Sequence, residues 1–425
     1  MKTLLKGGRV IDPSQGLDEF KDLLLDKGLV EAVLEPGGRV ATGVKSVDVK
    51  GCLVVPGLMD MHVHLREPGH EYKETVASGA AAAAAGGFTA VACMANTKPV
   101  NDCAAVTDYI LEKAKAAKLT RVYPVGAGTA GLAGEGLAEI AELKEHGCVA
   151  VSDDGKPVMN AELARRVLEY CKGFDLPVIS HPEDLNLSAN GAMHEGYIST
   201  QLGLPGIPAA AEEVMVARDI LLAELAGARL HLAHLSTAGS VRLVREAKAR
   251  GAAITCETAP HYFTLTHEAV RDLEYHTSTK MNPPLRTEED KAAVIQGLRD
   301  GTIDAIASDH APHGPVEKDV EYILALNGIV GLETSLALSL RLVQEGWLTY
   351  TQLIERMSGA PARILGVPGG TLKPGSPAHI TVIDPNQEWT VDVKEFKSKS
   401  KNSPFHGWKL KGKAAQVWVE GKRIL

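Results

Sequence analysis

The stretch VVPGLMDMHVHLREPG, residues 54–69, runs from an apolar segment directly into His62, His64 and Arg66 at every second position. Successive side chains of a β-strand alternate between its faces, so a strand here sends all three to one face. A run that enters a core and ends in two imidazoles and a guanidinium is the pattern of a core strand opening onto a polar site. HxH alone is weak evidence, because paired histidines on a half-buried strand are as often structural as metal-binding.

The surrounding sequence repeats the same design. Short β-rich runs recur as VVPGLMDMHVHL, TAVACMAN, RVYPVGAG, CVAVSDDG, PVISHPED, RLHLAHLS, AAITCETAP and DAIASDHAP. Helix-like segments separate them: ETVASGAAAAAAGG, AAVTDYILEKAKAAK, GLAEIAELKEHG, NAELARRVLEYCKG, AAEEVMVARDILLAELAG, GSVRLVREAKARG and EEDKAAVIQGLRDG. Strands alternating with helices of this length form parallel βαβ units, and eight of them predict an α/β fold, a closed (β/α)8 barrel of the TIM type. A doubly wound open sheet is the alternative, and it would bring the polar strand ends together less readily. AAAAAA at 80–85 reads as a helix whose small-residue face packs closely on its neighbours.

Both ends of the chain read differently. TLLKGGRVIDP and GLVEAVLEPGGRV near the N-terminus, and GGTLKPGSPAHITVIDP and KAAQVWVEGKRIL near the C-terminus, are short β-like runs punctuated by Gly, Pro and Asp. Together they predict one small β domain made of residues 1–56 and 367–425, with the barrel occupying 57–366. The 425 residues, 45% of them hydrophobic, are enough for a large core beside a smaller one. A formal net charge of −8 provides no electrostatic footprint for nucleic acid or an anionic membrane. No apolar stretch of about 18 residues predicts a membrane span. Six cysteines without CxxC spacing suit a reducing compartment, and a cytoplasmic protein acting on small molecules is expected.

Active sites of such barrels lie at the C-terminal ends of the strands. There the first run ends in His62, His64 and Arg66, the fourth in Asp153 and Asp154, the fifth in His181, the sixth in His234 and the eighth in Asp309. Singly, SDDG is a turn and each histidine a core residue. Four imidazoles and two carboxylates on one rim instead describe a site for two divalent cations. Alternation favours Asp154 over Asp153 as the inward group, because bulky Val149 and Val151 share parity with Asp153. In RLHLAHLS, His231 and His234 have opposite parity, so at most one is expected to face the interior, and His231 is read as structural.

These motifs resemble the amidohydrolase superfamily and, within it, type I (class I) dihydroorotase. The resemblance runs from VVPGLMDMHVHLREPG through MANTKP, SDDG, SHPED, GIPAAAEEVMVARDI, HLAHLSTAGS, CETAPHYF, KMNPPLR and SDHAPH to GIVGLET and LKPGSPAHITVID. It implies two Zn2+ per subunit: His62, His64 and Asp309 on one, His181 and His234 on the other, with Asp154 and a hydroxide bridging them. It implies that Asp309 is the catalytic acid and base, and that His64, Arg66, Asn96, Asn282, His313, Asn327 and Gly328 bind substrate. The implied reaction is reversible hydrolysis of the cyclic amide of (S)-dihydroorotate to N-carbamoyl-L-aspartate, run as ring closure in pyrimidine biosynthesis. Related cyclic-amide hydrolases bridge their metals with a carbamylated lysine, but here Lys156 lies beyond the strand in the wrong register. The loop GPVEKDVEYILALNG is long enough for a flap. A metal-free scaffold for aspartate transcarbamoylase would lack the ligands. Homodimerisation and association of an active enzyme with that transcarbamoylase stay open.

Overall fold

The computed structural model describes residues 2–38 and 42–425. Eight parallel strands follow one another around a barrel in chain order: β1 (Leu58–Val63), β2 (Phe88–Cys93), β3 (Arg121–Gly126), β4 (Ala150–Ser152), β5 (Val178–Ser180), β6 (Leu230–Leu232), β7 (Ile254–Thr258) and β8 (Ala305–Ile306). The predicted barrel is therefore the fold, and the open sheet is excluded. Closure between β8 and β1 uses little ladder. It rests on a parallel bridge between Val63 and His310, and on the buried Asp60 carboxylate, whose oxygens accept the Ser308 N–H at 3.1 Å.

Alternation along the strands sorts two apolar layers. Outward residues such as Val91, Val122, Leu230, Leu232, Ile254, Cys256 and Ile306 pack against helix residues including Val106, Ile110, Val216, Ile220, Val244 and Leu298. Burial of each such aliphatic side chain contributes roughly 1.5–3 kcal/mol. Inward residues are smaller on average: Met59, Met61, Ala90, Ala92, Val125, Ala150, Ile179, Ala305 and Ala307 form a separate cluster with Ala360, Ala362, Ile364 and Leu365. That last group lies on the helix Ala360–Leu365, which covers the barrel end opposite the polar rim. The AAAAAA segment lies in the helix Val76–Gly86, and Gly86 shows why its face must be small: a Cβ there would sit 2.2 Å from the Leu332 carbonyl.

Strands from both termini form a second, eight-stranded sheet, in which Leu53–Pro56 lies between Thr3–Asp12 and Ile380–Thr390. The apolar run at 54–65 is thus two strands in two sheets. Gly57 separates them, where any side chain would collide with Thr89. The helix Leu332–Gln344 was not expected from sequence. It is buried on most of its circumference, and Thr334, Ser335 and Ser339 are buried along with its leucines. Between Ile380–Thr390 and Lys409–Val419 the chain leaves this sheet, and residues 398–402 bond to loops at the rim of the barrel. No described helix is long and apolar enough to cross a membrane.

Candidate metal centre

At the C-terminal ends of the strands the regular pleat gives way to irregular backbone. The β1 register shifts between Asp60 and Val63, and Arg66, His234 and Asp309 adopt positive φ values of 63°, 36° and 48°. Left-handed conformations at non-glycine residues are costly and persist where surrounding contacts impose them. All three stand beyond the last residue of their strands, and His234 is the one that strict alternation with the outward Leu230 and Leu232 would send elsewhere. The convergence of His62, His64 and Arg66 therefore does not come from a continuous strand, since β1 ends at Val63.

Asp154 lies at the centre of the group. One of its oxygens is 3.4 Å from His62 Nε2, 3.4 Å from His181 Nδ1 and 3.6 Å from His234 Nε2, and the other is 3.5 Å from His64 Nε2. These separations exceed a good hydrogen bond, and they match the edge of about 3.3 Å expected between ligands that share a tetrahedral ion at about 2.0 Å. His62 Nε2 and Asp154 Oδ1 are buried and have no hydrogen-bond partner among the described residues. Two sets, His62 with His64 and Asp154, and Asp154 with His181 and His234, each place their donor atoms within 4.8 Å of one another. Asp309 adjoins the first set, with Oδ1 at 3.2 Å from His64 Nε2 and 3.6 Å from His62 Nε2. Imidazoles and carboxylates oriented this way fit one divalent cation in each set, with Asp154 common to both.

Asp153, its neighbour, turns away. It accepts from the backbone N–H groups of Gly128 and Thr129 at 2.8 and 3.0 Å, and so ties the end of β4 to the loop after β3. Lys156 is exposed and far from any bridging role.

The charges of the centre are interdependent. Burial alone would raise the Asp154 carboxyl, but His62, His181 and His234 hold it well below the usual range. Burial likewise opposes ionisation of Asp309, and the hydrogen bond from His64 with the neighbouring imidazoles reverses that, so it too stays ionised. Burial would lower His181, but Asp154 and Glu183 carry it up to about 10.

Three of the four imidazoles are held from behind, and His234 Nδ1 is the buried exception. His62 Nδ1 is 2.7 Å from Glu257 Oε1, His64 Nδ1 is 2.9 Å from Asn96 Oδ1, and His181 Nε2 is 2.9 Å from Glu183 Oε2. Acceptors in these places fix the tautomer and turn the opposite nitrogen toward Asp154, where His181 Nδ1 also lies 2.8 Å from His234 Nε2. Glu257 and Glu183 were missed from sequence. Glu257 closes the seventh run, CET, the same kind of position that flagged the other ligands, and Glu183 stands two residues after His181. His231 is not merely structural packing: its Nε2 is 3.3 Å from Glu257 Oε2, one link from His62. The parity rule that allowed one inward histidine fails because β6 ends at Leu232, before His234.

In front of these ligands is a cavity of about 230 Å3, lined by His64, Arg66, Asn96, Asp154, His181, Asn282, Asp309, His313, Asn327 and Gly328 among others. Every substrate-binding residue read from sequence thus borders one space, with His62 buried behind it. Arg66 is half-buried and donates through Nε to the Pro312 carbonyl at 3.2 Å, and its terminal fork has no hydrogen-bond partner among the described residues. Asn282 Nδ2 donates to Glu183 at 2.8 Å. His313 is committed inside the protein, its Nε2 2.8 Å from the Asn327 carbonyl oxygen. Burial, then Arg66 and two lysines, push its imidazole down to about 2, so it stays neutral. The loop at 314–327, expected as a flap, is pinned on two sides: Lys318 Nζ donates to the carbonyls of Thr277 and Leu326, and Lys280 Nζ to that of Ile323.

Comparison with known proteins agrees with this architecture. Residues 51–240 match the family model described as Dihydro-orotase-like. The chain is 61% identical over 424 residues to the dihydroorotase of Geobacter metallireducens, covering 100% of this chain and 99% of that one. It is 58% identical to the dihydroorotase of Syntrophus aciditrophicus, with the same coverage. Among solved structures, the L-hydantoinase (dihydropyrimidinase) of Arthrobacter aurescens superposes with a TM-score of 0.88 at 25% identity, covering 99% of this chain and 95% of that one. The dihydropyrimidinase of Brevibacillus agri does so with 0.86 at 24% identity, covering 100% and 95%. With near-complete coverage at about twice the identity of the structural neighbours, the sequence relatives decide the family: the chain belongs to the dihydroorotases.

Proposed function

We propose that this chain is a type I dihydroorotase that opens (S)-dihydroorotate to N-carbamoyl-L-aspartate and, in pyrimidine biosynthesis, closes it again. The observation that carries the reading is a free guanidinium fork, that of Arg66, facing the same cavity as a carboxylate-centred pair of metal-binding sets. Dihydroorotate carries a carboxylate on its ring, and a planar fork fits it through two parallel N–H···O bonds. Hydantoin and dihydrouracil rings lack that group, so the fork distinguishes the two substrate classes. The exposed Lys156 and buried Asp154 support a carboxylate bridge over a carbamylated lysine.

The residues divide the work. Two zinc ions, held by His62, His64 and Asp309 and by His181 and His234, with Asp154 shared, would polarise the scissile carbonyl and acidify a water. Arg66 and the Nδ2 amide of Asn96, whose Oδ1 already accepts from His64, grip the substrate carboxylate. Asn282, His313 and the backbone of Asn327 and Gly328 shape the wall against the ring. Asp309, ionised beside His64, takes the proton of the attacking water and returns it to the ring nitrogen as the C–N bond breaks. Ring closure reverses each transfer. The division into a barrel at 57–366 and a small domain of 1–56 with 367–425, and a cytoplasmic location, belong to the same reading.

Arg66→Lys tests it. Lysine keeps the charge and loses the fork, so kcat/KM for dihydroorotate falls by the equivalent of about 2–5 kcal/mol while metal content is unchanged. Unchanged kinetics would show that Arg66 does not touch substrate.

A further inference from the structure

We propose that Asn402, from the C-terminal segment, is a positioning residue that clamps together the two substrate-facing stretches at His313 and at Asn327–Gly328. The proposal rests on reading those stretches as substrate contacts.

Four hydrogen bonds converge on this one buried residue. Its Oδ1 accepts the backbone N–H of His313 at 3.1 Å. Its Nδ2 donates to the carbonyls of Ala311 and Gly328, both at 3.1 Å. Its own carbonyl accepts the Val330 N–H at 2.9 Å. Asn402 therefore spans the strand-end segment after β8 and the segment that closes the 314–327 loop, and it satisfies both from one side chain. Aspartate could not do so, because it would turn a carboxylate oxygen toward two carbonyls.

The clamped geometry is tight where it meets the cavity. Gly328 has φ 110°, and a Cβ there would lie 2.5 Å from that of Ala311. The imidazole of His313 closes the same gap through the Asn327 carbonyl. Asn402 thus fixes the spacing of two chain segments whose relative shift would move His313 and the Gly328 backbone against the ring. Its own segment is anchored at the rim: Ser400 Oγ donates to the Lys73 carbonyl at 2.6 Å, and Lys399 N–H to Glu74 at 3.0 Å. The small domain's chain in this way contributes to the geometry of the barrel's site without touching substrate.

Steady-state kinetics of ring opening, with metal content measured on the same samples, test the clamp. Removing the side chain strands three buried partners, which is expected to raise KM about 10- to 100-fold. Asn402→Ala should show that rise in KM for dihydroorotate, with kcat reduced less than about 3-fold and metal retained, because the lost contacts serve binding. Asn402→Asp, closest in size, should do the same and carries the test if the alanine variant does not accumulate. Ser403→Ala, which removes a bond local to the segment, should leave KM unchanged. In the His313→Ala background the effect of Asn402→Ala should shrink, since residues in one network are not additive. If His313→Ala raises KM but both Asn402 variants leave it unchanged, the clamp is wrong and the substrate reading stands. A neutral His313→Ala instead overturns the reading beneath it. An equal KM rise in Ser403→Ala also overturns the clamp, reducing it to general loosening.

Discussion

Asp309→Asn suppresses turnover in both directions by at least about 10²–10⁴-fold, the range that a positioned general acid–base contributes. The amide is nearly the same shape, but it cannot accept and return a proton, and it is a weaker partner for a cation. The proposed mechanism takes Asp309 as the base, on two observations: it lies at the cavity wall beside His64, and its carboxyl is held below the ordinary range despite burial. The sign of the pH dependence follows. Ionised Asp309 is the form hydrolysis needs, so ring opening keeps its base as pH falls through the ordinary carboxylate range. Protonated Asp309 is the form ring closure needs, and it becomes scarcer with each unit of rising pH. Thermodynamics requires the same sense, because ring opening at neutral pH creates a carboxylate and releases one proton. The ratio of kcat/KM for opening to that for closing should therefore rise about tenfold per pH unit. Profiles for the two directions that rise together, or an Asn variant with full turnover either way, would remove Asp309 from this role.

Asp154→Ala is the second large effect, and its neighbour is the control. Loss of the one carboxylate within 3.4–3.6 Å of four imidazoles leaves both donor sets incomplete, so metal and activity disappear together. Asp153→Ala keeps its metal, because that side chain bonds the loop at Gly128 and Thr129, and its cost is local stability of about 1–3 kcal/mol for stranded buried N–H groups. Elemental analysis of both purified variants checks this. A metal-free Asp153 variant beside a metal-loaded Asp154 variant would exchange their roles.

What the sequence disclosed and what it withheld separate along physical lines. The barrel was legible because each strand and helix carries its own periodicity, and parity favoured Asp154 because Ala150 faces the interior cluster while Val151 packs with Val167 and Leu176, although β4 itself ends at Ser152. Parity stopped being a guide where strands stop. His234 reaches the site through left-handed backbone, where alternation with Leu230 and Leu232 would turn it outward. Glu257, 195 residues from the His62 it supports, has no local signal except its place at a strand end. The pinned loop depends on Lys280 and Lys318 reaching carbonyls from underneath, which periodicity does not encode. Asn402 was invisible for the same reason, since the partners of its side chain are 74 and more residues away in the chain.

The most direct test compares ring opening of dihydroorotate with that of dihydrouracil by the purified chain, with bound metal quantified in the same preparation. The account predicts N-carbamoyl-L-aspartate from dihydroorotate, and a kcat/KM for the ring without a carboxylate lower by at least about 10²-fold, as expected when the Arg66 fork has no partner. Metal-replete protein that leaves dihydroorotate intact, or that opens the uncharged ring equally well, would contradict it.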